Sequence, residues 1–160
     1  MEDVLLSLHV LAGIVFVGGS AVAASLFPRY APVAVAVPSG AGAPPVAGTG
    51  EPGDRNRAVA VVLHRITRVY GIFGVVVPVA GIALGVVQGR MGEIWINIAM
   101  VLTVAAGALL AMVIYPRQGE ALSDPDDGRR LRSLSMFAGI YNLLWAVVVV
   151  LMIVRPGAYP

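Results

Sequence analysis

Residues 4–27 read VLLSLHVLAGIVFVGGSAVAASLF, and no formal charge interrupts them. A bilayer hydrocarbon core of about 30 Å is crossed by a helix of about 20 predominantly apolar residues, so this stretch is long enough to span. Three more uncharged apolar stretches follow, at about Tyr70–Val87, Ile94–Tyr115 and Met136–Val154. A membrane β-barrel would need alternating patterning over at least about eight strands, which these runs lack. Glu2 and Asp3 stand where a secretory leader carries basic residues, and the apolar run exceeds a leader's core, so the first span reads as retained.

Composition agrees with this reading. The chain has 160 residues, of which 58% are hydrophobic and 12% charged, with a mean hydropathy of +0.86. Soluble domains carry about a quarter charged residues. So short and apolar a chain cannot cover its own core with polar groups, which excludes a lone soluble globule. Disorder is excluded as well, because it needs low hydrophobicity and high charge. With no cysteine, disulfide, iron–sulfur and thiolate–zinc chemistry drop out. Eleven basic residues against nine acidic ones give a net charge of +2, which reads as a topology signal and not a nucleic-acid footprint. Every basic residue is Arg and none is Lys, a usage associated with high-GC genomes such as those of actinobacteria.

The arginines set the expected orientation. Arg29, Arg55, Arg57, Arg65 and Arg68 lie between spans one and two, and Arg117, Arg129, Arg130 and Arg132 between spans three and four. The opposite side has only Arg90 and Arg155. Basic residues stay inside. The expectation is a multi-pass protein of the bacterial plasma membrane, with residues 31–54 and 116–132 cytoplasmic. Both termini and the Gln88–Glu93 turn would then be extracytoplasmic. Tyr30, Tyr70, Tyr115 and Trp95 are expected near the membrane boundaries.

The predicted fold is all-α: one membrane domain over residues 1–160, an antiparallel four-transmembrane-helix bundle. Residues 31–54, rich in Pro, Gly and Ala, read as a flexible linker or as a strip lying on the membrane or a partner. The second helix is expected to begin near residue 55, capped by Asp54. In SDPDDG, Ser123 or Asp124 would cap the fourth helix, with Pro125 in its first turn. Asp126 and Asp127 would then favour its positive end. The spacing does not fit an EF-hand calcium loop.

Helix association in lipid depends on small residues that permit close approach. Gly13, Gly18 and Gly19 in the first span, Gly74, Gly81 and Gly85 in the second, and Gly107 with Ala111 in the third are the packing candidates. Pro78 is expected to kink the second span.

Candidates for chemistry are few. His9 and His64 enter from opposite sides, at depths differing by about 20 Å, so they cannot share a metal or a haem iron in one monomer. His9 lies within a span, where an ionisable side chain is a functional candidate: an axial ligand, a quinone contact or a proton-transfer group. Its blander reading is a neutral imidazole bonded to a neighbouring helix. Asn142, beside Tyr141 and Trp145, is read as an interhelical hydrogen-bonding group, as are Asn97 and Thr103. No span holds Asp or Glu, and no hydrolase triad, HExxH, P-loop or GxGxxG pattern occurs, so no catalytic or metal-binding residues are assigned.

The opening LHVLAGIVFVGG followed by FPR, and the closing LMIVRPG, resemble a loose group of small bacterial membrane proteins. These are the copper-resistance-D-like family, an allied family of integral membrane proteins, and the protoporphyrinogen-oxidase-J-like family. They share a first helix with Leu-His and, a turn or two later, Gly or Gly-Gly; here His9, Gly18 and Gly19. For the haem-handling members the resemblance implies His9 as haem ligand. This chain departs from them in lacking Lys and a second intramembrane His. For the copper branch it implies clustered Met or His, whereas Met91, Met100, Met112, Met136 and Met152 are scattered. The site-poor, multi-span plan also looks like accessory subunits of the actinobacterial cytochrome bcc–oxidase supercomplex.

Together these give three expectations. The first is a non-catalytic accessory or structural subunit of a respiratory electron-transport supercomplex, without a cofactor of its own. Its partners would be other integral membrane subunits and lipids, with no nucleic acid and no soluble substrate. The second is a haem- or porphyrin-associated membrane oxidase using His9. The third is a copper or small-solute permease. For the orientation, single cysteines introduced at Gly50 and Gly128 are expected to label with an impermeant maleimide from the cytoplasmic side alone; labelling of intact cells from outside would reverse it.

Overall fold

The computed structural model describes residues 2–34 and 56–157. They form four long helices: α1 (Asp3–Tyr30), α2 (Arg57–Val87), α3 (Ile94–Ser123) and α4 (Arg129–Val154). Each is long and apolar enough to cross a membrane. No strand occurs among the described residues. Asp54 and nearly all of the 31–54 linker lie outside the described residues.

Each helix runs antiparallel to the next, and α4 returns alongside α1. The Ser20–Tyr141 and Asn142–Ser25 bonds join α1 to α4, and Arg57 reaches the Leu122 carbonyl to join the start of α2 to the end of α3. The buried core is concentrated at the arginine-rich end. There Phe27 of α1, Leu63 of α2, Leu110 and Ile114 of α3, and Leu131 and Leu134 of α4 pack together. The outward faces carry Ile14, Val101, Val104, Met112, Leu143 and Ile153, an apolar exterior suited to lipid.

The helices reach this core by two different windings. On α2 one inward series runs through Ala60, Leu63, Thr67, Tyr70, Gly74, Val77, Gly81 and Leu84, and on α4 through Leu131, Leu134, Ala138, Tyr141, Trp145 and Val148, each buried or half-buried. Alternating steps of three and four average 3.5 residues and keep one seam facing the bundle. The inward positions Ala12, Phe16 and Ser20 of α1, and Ala106, Leu110, Ile114 and Gln118 of α3, advance by four. In an α-helix, at about 100° per residue, each such step overshoots by about 40° and would carry Gln118 far off the Ala106 face. Both stretches contain a π-helical segment, Gly13–Val17 in α1 and Leu109–Ile114 in α3. Its wider i→i+5 turns wind the pattern back onto one face.

The break in α2 falls at Gly74–Val75, one turn before Pro78. Pro78 has no N–H for the Gly74 carbonyl, which accepts from the Val77 N–H instead, at 3.1 Å. The cap of α2 is Asn56, whose Oδ1 accepts from the Ala58 and Val59 N–H groups at 3.0 and 3.2 Å, so Asp54 is not the cap. The expectation for α4 is corrected too. Ser123 ends α3, and α4 begins at Arg129 after Gly128, whose φ of 90° favours glycine. Asp126 and Asp127 do lie at its start. Asp126 accepts from the Gly128 and Arg130 N–H groups, and Asp127 from that of Arg129.

Desolvation pushes the Asp126 carboxyl up, but those two backbone donors and the Arg130 guanidinium together outweigh it and hold it below its ordinary 3.8. A depressed carboxyl stabilises the folded loop fully above its unfolded pKa and loses that contribution as pH falls through the lower folded value. The loop is therefore expected to stay closed down to about pH 4 and to open in stronger acid, read as loss of hydrogen-exchange protection at the Gly128 and Arg130 N–H groups after correction for intrinsic exchange. Asp126→Asn is expected to lower the same protection already at neutral pH.

Candidate functional site

His9 is placed by α1 against the broken middle of α2. Its Nδ1 lies 3.0 Å from the Val77 carbonyl oxygen. A carbonyl only accepts, so Nδ1 carries the proton and donates, and the Nε2 lone pair is left available. Gly81 makes this approach possible: a Cβ there would lie 2.9 Å from His9 Cε1. Thus His9, Val77 and Gly81 form one unit.

His64 lies elsewhere. Val77 and His64 share α2 and are about 20 Å apart along its axis. The His64 ring stacks on Tyr115 with centroids 4.5 Å apart and planes 6° from parallel, and Phe27 flanks it at 6.5 Å. Its Nδ1 donates to Gln118 Oε1 at 3.2 Å. Gln118 is completely buried, and its Nε2 has no hydrogen-bond partner among the described residues. Sequence reading did not single out Gln118. The available signal was its place, four residues after Ile114, in the series that begins at Ala106. The Tyr115 ring stacks on His64, and the Tyr70 ring packs on α1.

A third polar contact ties α1 to α4. Ser20 Oγ donates to the Val17 carbonyl at 3.0 Å, so Tyr141 donates to Ser20 Oγ at 2.7 Å. One turn along α1, Asn142 Nδ2 donates to Ser25 Oγ at 2.9 Å. Asn97 bonds within its own helix, to the Glu93 carbonyl.

The glycines divide into two groups. Gly19, Gly81 and Gly85 are notches for Tyr70, His9 and Met91; a Cβ at Gly19 would stand 1.9 Å from the Tyr70 ring. Gly74 faces the carbonyls of its own turn. Gly13, Gly18 and Gly107 have nothing within 4 Å of a Cβ position. Among the described residues no group of three or more His, Cys, Asp or Glu is arranged to hold a metal.

Filling the Gly81 notch tests its coupling to His9. Gly81→Ala is expected to push the imidazole off Val77 and lower the detergent melting temperature to about the same degree as His9→Ala, with little further loss in the double variant. Additive losses would mean that the two residues act separately. No family model, curated protein or solved structure matches this chain.

Proposed function

We propose that the chain is a non-catalytic accessory subunit of a larger membrane assembly, and that the assembly belongs to the respiratory electron-transport chain. The observation that carries the first half is the outer face of α3. Gly107 is exposed with open space at its Cβ position among the described residues, and Ala108 and Ala111 are exposed beside it. Lipid tails are as apolar as leucine, so helices in a bilayer associate through close packing, and small residues permit it. The inward notches at Gly19, Gly81 and Gly85 are filled by this chain's own side chains, whereas the small face of α3 is left for another subunit's helix. The resemblance to accessory subunits of the cytochrome bcc–oxidase supercomplex supports the respiratory assignment. In this reading the arginine-rich end is cytoplasmic, and the partners are integral membrane subunits and lipid.

Gly107→Leu combined with Ala111→Leu is expected to abolish co-purification of cytochrome subunits in mild detergent while leaving the melting temperature of the isolated chain within a few degrees. Unchanged co-purification overturns the docking role of α3.

One observation favours a second reading, a haem- or porphyrin-associated protein using His9. A histidine whose Nδ1–H is held by a backbone carbonyl presents an oriented Nε2, the arrangement that metal-ligating histidines use. A Soret band in the isolated chain that disappears in His9→Ala would establish it and overturn the non-catalytic reading as stated. A colourless chain would overturn this second reading.

A further inference from the structure

We propose that the arginine-rich end binds the phosphodiester headgroup of a membrane phospholipid in the cleft between the segment following α1 and the start of α4. This stands independently of the accessory role. The cleft has a volume of about 410 Å³. Val33 and Ala34 line one side, Leu131, Arg132 and Ser135 the other, and Asp127 stands at the rim. Its walls are tied together: the Ala34 N–H donates to the Asp126 carbonyl at 2.9 Å, and Val33 lies 3.7 Å from the Cβ position of Gly128.

The neighbouring charges single out Arg132. Arg129 pairs with Asp127 at 3.2 Å, and Arg130 pairs with Asp124 and Asp126 at 3.4 and 3.9 Å. Arg117 lies over the Phe137 ring at 4.6 Å. Arg132 has no ion pair among the described residues and lines the cleft. The rim carboxylate of Asp127 is neutralised by Arg129. The N–H groups at the start of α4 are already taken by Asp126 and Asp127, so recognition of an anion falls to the guanidinium and not to the helix end.

The occupant is fixed by the mixed lining and by position. The lining is mixed: Asp127, Arg132 and Ser135 are polar, and Val33 and Leu131 apolar. An amphiphile with a phosphate and a hydrocarbon chain matches such a lining. A guanidinium presents paired donors to phosphate oxygens, and a basic residue at a membrane surface contributes roughly 1 kcal/mol toward an anionic lipid.

The full chain in mild detergent, titrated with phosphatidylglycerol and read by native mass spectrometry, tests the site. Arg132→Gln is expected to lower lipid retention about fivefold, while Arg68→Gln, which removes an exposed cation that does not line the cleft, leaves it unchanged. Ser135→Phe, which plugs the cleft and keeps the charge, is expected to lower retention as well. Equal retention by Arg132→Gln and the unaltered chain overturns the proposal. So does equal retention of diacylglycerol with the same chains, because the phosphate would then go unread. Full displacement by inorganic phosphate would mark a free-anion site and also overturn it.

Discussion

Inside the hydrocarbon core of a bilayer no water is at hand for a polar group, and each one left alone costs several kcal/mol. The four helices satisfy their own backbones, so the constraint falls on the few polar side chains they carry, and it decides how the helices meet. Within the spans His9 finds the Val77 carbonyl, Tyr141 finds Ser20 and Asn142 finds Ser25, and at the arginine-rich end His64 finds Gln118. Each bond is between different helices. Together they join α1 to α2, α1 to α4 and α2 to α3. Single interhelical bonds of this kind contribute on the order of 1 kcal/mol or less. Their larger effect is on register, because sliding a helix by one turn would leave two polar groups without partners.

The windings of the helices follow from the same demand. A bundle seam at 3.5 residues per repeat suits α2 and α4, whose inward residues alternate steps of three and four. On α1 and α3 the inward series advances by four, and a π segment in each corrects the drift. That correction brings Ser20 round to Tyr141 and Gln118 round to His64. The break in α2 belongs to the same set. With Pro78 unable to donate, the chain tightens at Gly74–Val75, and the glycine notch at Gly81 lets an imidazole reach the backbone just beyond the break.

Much of this was legible in the sequence, and the rest was hidden for identifiable reasons. Four apolar runs declare four spanning helices because length and absence of charge are local properties. The π turns escape a reading that assumes 3.6 residues per turn, although the four-residue spacing of Ala106, Leu110, Ile114 and Gln118 contains the signal. The glycines were legible as packing positions, but what fills each one is set by the partner helix: a ring at Gly19, an imidazole at Gly81, a thioether at Gly85 and nothing at Gly107. The cap of α2 was missed by two residues because Asp54 and Asn56 offer the same acceptor chemistry. The start of α4 was placed early because SDPDDG offers several capping residues, whereas the chain uses Gly128 at positive φ and turns the aspartates back onto the first N–H groups.

The two ends of the bundle are built differently, and the difference bears on what the molecule can do alone. At the arginine-poor end both arginines are engaged: Arg90 pairs with Glu93 at 3.5 Å, Glu93 accepts from Trp95, and Arg155 lies over the Trp95 ring. At the other end Arg29, Arg65, Arg68 and Arg132 carry no ion pair among the described residues, and the buried core lies beneath them. Charges left unpaired at a membrane surface interact with whatever lies beside them, and anionic headgroups are the natural counterpart. The apolar exterior is uneven as well: the exposed small residues Gly107, Ala108 and Ala111 of α3 permit the close approach of a helix, which the bulky residues elsewhere on the exterior do not.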